Sequence, residues 1–213
     1  DPFFELEFFN AFETAARVML RESVAFHHPD MAKDGSRHLL IVGFDGLGEA
    51  LFLRAVKDWR IDREASYCRV DPNDRLQITV IAPDAPEKGE WLRLRYPELF
   101  SACGARFLRM DVRSEAFSRG EFLQSETGAV DVTSAFVCLN DESLGMLIGL
   151  NLHQQLKGRH VSVGVLLREE AGLGTLLDAA LTRGAIDDVW AVGLLDIACS
   201  LDLVLGGAQE AIA

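Results

Sequence analysis

The chain has 213 residues, 49% of them hydrophobic, and a formal net charge of −12. That is enough apolar material for a sizeable core without disulfides or metals. The acidic balance repels phosphate backbones and anionic lipid, so neither nucleic acid nor a membrane surface is an expected partner. The densest basic stretch, Arg93-Leu94-Arg95, is short and lies close to Glu90.

Pro2 to Phe26 reads as an amphipathic helix, with Leu6, Phe9, Phe12 or Ala16, Met19 and Leu20 at helical spacing. Packing on its own domain is the plainer reading; a linker helix or a dimer contact is the alternative. His27-His28-Pro29-Asp30 ends the helix, and the polar stretch to Arg37 reads as a linker. No cysteine accompanies the paired histidines, which read as loop residues. The expected division is residues 1–37 as helix and linker and 38–213 as the main domain. The chain opens on Asp1 rather than Met and is expected to be part of a longer protein.

From His38 the pattern tightens. His38–Val42 is a short buried strand ended by Gly43, and Glu49–Trp59 is a helix with Leu51, Phe52, Ala55 and Val56 on one face. Arg60–Arg75 reads as polar and irregular, with Asp71-Pro72-Asn73-Asp74 a turn. Leu76–Ala82 is the second strand. Pro86–Ala105 is helical, interrupted at Pro97, and Arg106–Met110 is the third strand. Val112–Asp131 is loop and short helix, and Val132–Leu139 the fourth strand. Asp141–Leu156 is a helix capped by Asn140. Val161–Leu167 is the fifth strand, followed by a helix over Glu169–Leu181. Val189–Leu195 is the sixth strand, and Asp196–Ala213 is largely helical. Six strands alternating with helices, several apolar on both faces, predict an α/β fold. It is a doubly wound parallel sheet of the Rossmann type, ordered 3-2-1-4-5-6, preceded by an N-terminal helix.

The four cysteines, Cys68, Cys103, Cys138 and Cys199, form no C-x-x-C pair and no zinc spacing, so core filling in a reducing compartment is expected and no metal site. No apolar run reaches transmembrane length; the best, Val189–Leu205, is broken by Asp196 and Asp202. The Phe-rich start contains Glu5 and Glu7 and lacks the basic lead of a signal peptide. The expected location is the cytoplasm, either free or as the cytosolic part of a membrane-associated protein.

The chemistry concentrates in Gly43-Phe44-Asp45-Gly46-Leu47-Gly48, between the first strand and first helix. A dinucleotide needs a tight turn there, close backbone approach and free N–H groups at a helix N-terminus. Gly43 suits the turn and Gly48 the packing of helix on sheet, while Asp45 holds the middle position of the G-x-G-x-x-G pattern, with Gly46 one step later. The alternative is that these glycines only let a tight corner close. Asp84, two positions beyond the second strand, is either the ribose contact or a turn residue in Ala82-Pro83-Asp84-Ala85-Pro86. Asp111, Asn140, Asp141 and Arg168 follow later strands on the same rim, each also suited to capping a helix or lying exposed on a loop.

From His38 onward the chain resembles the TrkA-N domain, the nucleotide-binding half of RCK regulators of potassium channels and transporters. The resemblance rests on Leu40-Ile41-Val42-Gly43-Phe44-x-x-Leu47-Gly48 and on Ile78-Thr79-Val80-Ile81 with Asp84. It extends to Met110-Asp111, to Ala135–Glu142, and to Leu147-Ile148-Gly149-Leu150-Asn151. It implies a non-catalytic domain that binds NAD(H), ATP or ADP and relays occupancy through dimer contacts, with Gly43 and Gly48 as the turn, Asp84 as ribose contact, and Asp111 and Asn140 on the rim. Two other classes stand beside it. One is a Rossmann domain that has lost its ligand and serves as an interaction or dimerisation module. The other is an NAD(P)-dependent oxidoreductase; neither Tyr67 nor Tyr96 has the lysine four residues on that the short-chain type requires. A methyltransferase reading of Asp45–Gly48 ranks below these, and no G-x-S-x-G supports a serine nucleophile.

Overall fold

The computed structural model describes residues 10–23, 37–65, 76–125, 128–159, 161–167 and 189–194. Helix α1 spans Ala11–Glu22, and Arg37–Val42 forms strand β1. Then come α2 (Gly46–Ala65), β2 (Leu76–Ala82), α3 (Ala85–Arg95), α4 (Leu99–Ala102) and β3 (Cys103–Arg109). A short helix α5 (Glu115–Ser118), a 3-10 turn (Glu121–Leu123) and a two-strand ribbon, β4 (Gln124–Ser125) and β5 (Gly128–Ala129), lead to β6 (Ser134–Val137). The described chain closes with α6 (Glu142–Gln155), β7 (Ser162–Leu167) and β8 (Val189–Gly193). Six strands form one all-parallel sheet ordered β3-β2-β1-β6-β7-β8, the 3-2-1-4-5-6 order of a Rossmann-like fold. The expected helices over Glu169–Leu181 and Asp196–Ala213 lie outside the described residues, as do Pro2–Phe9, the paired histidines, Cys68, Cys199 and Arg168. No helix among the described residues is long and apolar enough to cross a membrane.

Side chains of the central strands alternate between two cores. Leu39 and Ile41 of β1, with Ile78, Val80 and Phe136, face α1, α2 and α3. Leu40 and Val42, with Ile81, Val137 and Val165, face α5 and α6. A parallel sheet is stable only when both faces are covered, and the near-continuous apolar strands are the sequence form of that requirement. On α2, Leu51, Phe52, Ala55, Val56 and Trp59 are all buried, a stripe at helical spacing. On α1, Ala15, Ala16, Met19 and Leu20 are buried in the same core, and the Ser23 hydroxyl shares a 2.7 Å hydrogen bond with Ser134 at the foot of β6. The N-terminal helix therefore packs on its own domain.

Several boundaries differ from the sequence expectation for local reasons. α2 continues six residues past Trp59, through a stretch read as irregular. Arg60–Ala65 is polar but contains neither Gly nor Pro, and polarity alone does not stop a helix. Cys103–Ala105 is strand rather than helix, because its backbone completes the ladder with Leu76–Ile78. α6 is capped by Asp141, whose carboxylate accepts the Leu144 N–H at 3.0 Å, and not by Asn140.

His38 enters β1 with its Nε2 2.8 Å from the Thr79 hydroxyl. Burial and then the Arg106 guanidinium lower its pKa from 6.5 to about 4, against a smaller opposing pull from Asp131. The folded state therefore favours the neutral ring. Its contribution to stability is complete above about pH 6.5 and is lost as pH falls toward 4. Thermal melts across that window are expected to show a falling midpoint, and His38→Gln a shallower fall. Equal slopes in the two proteins would assign the acid sensitivity elsewhere.

Candidate functional site

The β1–α2 corner lies where strand order reverses: β1 has β2 on one side and β6 on the other, and the helices that follow β1 and β6 cover opposite faces. In open parallel sheets the crevice at such a point is where ligands bind. The corner is tied to both neighbouring strand ends, with the Gly43 N–H donating to the Ile81 carbonyl at 2.9 Å and the Cys138 N–H to the Val42 carbonyl at 2.7 Å. Gly43 has φ +90°, a region L side chains rarely enter, and a Cβ there would lie 2.5 Å from the Cys138 carbonyl oxygen. A Cβ on Gly48 would overlap the Gly43 carbonyl oxygen. Both glycines are thus required for the corner to close, whatever else they do.

Gly46 opens α2, and a Cβ on it would lie 2.6 Å from the Phe12 ring. Phe12 comes from the first turn of α1, where the Asn10 side chain accepts its N–H at 3.0 Å. The ring is 39% exposed, so it covers the turn without being locked into the core. The first-turn N–H groups that an α-helix leaves unpaired lie at this end of α2, and the Phe12 ring stands over it at Gly46.

Asp45 and Asp84 meet on a single cation. Lys88 of α3 places its Nζ 2.5 Å from Asp45 and 2.9 Å from Asp84, and donates to the Phe44 carbonyl at 2.9 Å. Partial burial acts against the charged amine, but its hydrogen bonds to the two carboxylates prevail and hold its pKa above the ordinary lysine value. The mouth of the corner therefore carries two carboxylates and one ammonium. Beside it the Arg109 guanidinium donates to Glu87 and to the Pro83 carbonyl. The Glu87 carboxyl is held below its usual pKa by its own backbone N–H and then by Arg109.

The other expected site residues are distributed differently. Phe44 and Leu47 are buried, and the Phe44 ring stands edge-on to Phe52 and Phe107 at centroid distances of 6.0 and 5.7 Å, so their side chains serve the core. The Asp111 carboxylate accepts the Arg113 N–H at 2.8 Å in the turn after β3. Asn140 is exposed on the bend between β6 and α6. Burial raises the Cys103 thiol to about 11 and pushes up that of Cys138, so neither is a thiolate at neutral pH. Among the described residues no group of three or more His, Cys, Asp or Glu side chains can hold a metal ion. Lys88 and Phe12 are site residues that belong to no glycine motif. The Asp84-x-x-x-Lys88 spacing marks the first, being an i,i+4 pair at the start of a helix. No local signal marks the second.

Gly43→Ala and Gly48→Val are each expected to destabilise the domain by about 2 kcal/mol or more, lowering the melting midpoint by several degrees. Lys88→Met, removing only partly exposed ion pairs, is expected to cost less than about 1 kcal/mol. Near-native melting of either glycine variant would show that the corner tolerates a side chain. No protein-family model, no curated protein and no solved structure matches this chain.

Proposed function

We propose that this is a non-catalytic regulatory domain, resembling TrkA-N domains, that binds NAD(H) or an adenine nucleotide at the β1–α2 corner and so regulates ion transport or signalling. In this reading it acts in the cytoplasm, as a homodimer or joined to other domains of a longer protein. The observation that supports it is the placement of a left-handed Gly43 and the N-terminus of α2 at the point where strand order reverses. A bound nucleotide would set its phosphates on the first-turn N–H groups of α2. Lys88 would turn from Asp45 to the phosphate, leaving Asp84 for the ribose. The Phe12 ring would have to leave Gly46, which makes the position of α1 sensitive to occupancy.

A second reading, an interaction module without a ligand, is favoured by that same ring: Phe12 already covers the residue a pyrophosphate must approach. Gly48→Val cannot separate the two readings, because it breaks the corner itself. The informative variant is Phe12→Ala, which opens the mouth and leaves the corner intact. Melting of the wild-type chain and of Phe12→Ala is compared with NAD, NADH, NADP, ATP, ADP and AMP. A nucleotide at about 100 times its Kd adds roughly 2.7 kcal/mol, or about 5–10 °C for a chain of this size. A shift with one nucleotide, larger in Phe12→Ala, is the expected result. No shift in either protein overturns the nucleotide reading in favour of the interaction module.

A further inference from the structure

Asp45 stands where the glycine pattern leaves bare backbone, immediately before Gly46 opens α2. Its carbonyl accepts the Glu49 N–H at 3.1 Å, so its backbone is the entry to the helix. Its carboxylate lies 2.5 Å from the Lys88 ammonium, which also serves Asp84 at 2.9 Å. The side chains of Asp45 and Asp84 are 64% and 55% exposed and that of Lys88 is 34% exposed, so the carboxylates are the more open to an incoming ligand.

Two carboxylates against one ammonium leave one negative charge at the mouth. Glu49 adds a carboxylate in the first turn of α2. Glu87 and Arg109 pair with each other and add no net charge. Further round the rim, Asp111 and Arg113 are of opposite sign in one turn, and α6 opens on Asp141 and Glu142. Against these stands the N-terminus of α2, equivalent to about half a positive charge. Among the described residues of these turns the balance is negative, and a ligand that brings more negative charge is disfavoured in proportion.

We propose that Asp45 is the specificity-determining residue of this mouth, selecting dinucleotides such as NAD(H), whose phosphates are both diesters, over AMP, ADP and ATP, which end in a phosphate monoester; the inference rests on nucleotide binding at the corner. When Lys88 turns to a phosphate it leaves both carboxylates. Asp84 then gains ribose hydroxyls as donors, whereas Asp45 gains none and faces the phosphates. A terminal monoester carries about −1.5 to −2 at pH 7, more than the single charge of a diester. One extra charge roughly 4 Å from the Asp45 carboxylate, in water-like surroundings, is worth about fivefold in affinity.

Titration calorimetry on the whole chain, with a chelator present so that no divalent cation masks the phosphate charge, tests it with NAD, NADH, ADP and ATP. NAD is expected to bind more tightly than ATP in the wild type. Asp45→Asn is expected to tighten ADP and ATP by about fivefold and to change NAD far less, so that the ratio narrows. Asp45→Glu, which keeps the charge, is expected to keep the ratio, and Asp45→Gly to narrow it as Asn does. Melting midpoints near wild type in these variants, which alter an exposed side chain, establish that their folds are intact. ATP binding as tightly as NAD in the wild type, or a ratio unchanged in both Asp45→Asn and Asp45→Gly, overturns selection by Asp45 and leaves nucleotide binding standing. No nucleotide bound by any of the proteins overturns both.

Discussion

The close approach of three backbone segments at the β1–α2 corner is the constraint on which the rest of the structure depends. The Gly43 carbonyl lies under Gly48, Gly43 itself lies against the Cys138 carbonyl, and the two neighbouring strands are hydrogen-bonded to the corner at 2.7 and 2.9 Å. No side chain fits at either glycine without displacing backbone. Because this contact fixes where α2 leaves the sheet, it also fixes the buried stripe from Leu51 to Trp59 over β1 and β2. Burying each such large apolar side chain contributes about 1.5–3 kcal/mol, so a local steric condition is linked to a large share of one core.

The same contact changes the meaning of the glycines. A Gly-rich strand–turn–helix is commonly read as a cradle for phosphate, yet Gly43 and Gly48 are needed for closure alone. The residues that bear on a ligand are those at the open side: Gly46, covered by the half-exposed Phe12 ring, and Asp45 and Asp84, both held by Lys88. This is a mouth closed by the protein's own groups. Its ion pairs are partly exposed, which makes them weak determinants of stability and leaves them free to exchange partners.

Charge is distributed unevenly over the same helix layer. The N-terminal end of α2 carries the carboxylate-rich mouth, while its C-terminal half carries Lys57 and Arg60 beside Tyr96 and Leu99. That half also carries Asp58, Asp62 and Glu64 beside Lys57, Arg60 and Arg63, so charges of both signs alternate along it. The sum of −12 conceals this, because net charge describes the far field and a ligand responds to the groups within a few ångströms of it.

The sequence by itself determined the alternation of strands and helices, the sheet order and the place of the corner. Runs such as Leu39-Leu40-Ile41-Val42 can be satisfied only by burial on both faces, and right-handed crossovers leave few ways to arrange six such strands. It marked helix ends less well: Arg60–Ala65 looked irregular because it is polar, and Asn140 looked like the cap that Asp141 provides. These are differences of six residues and of one residue at helix ends, where competing local signals are nearly balanced. Only the tertiary structure decided what occupies the mouth. The ring of Phe12 reaches Gly46 across 34 residues of chain, and Lys88 reaches Asp45 across 43. Contacts at such separations leave no periodicity in the sequence, because they are set by how α1 and α3 pack beside α2 and by no pattern within any one of them.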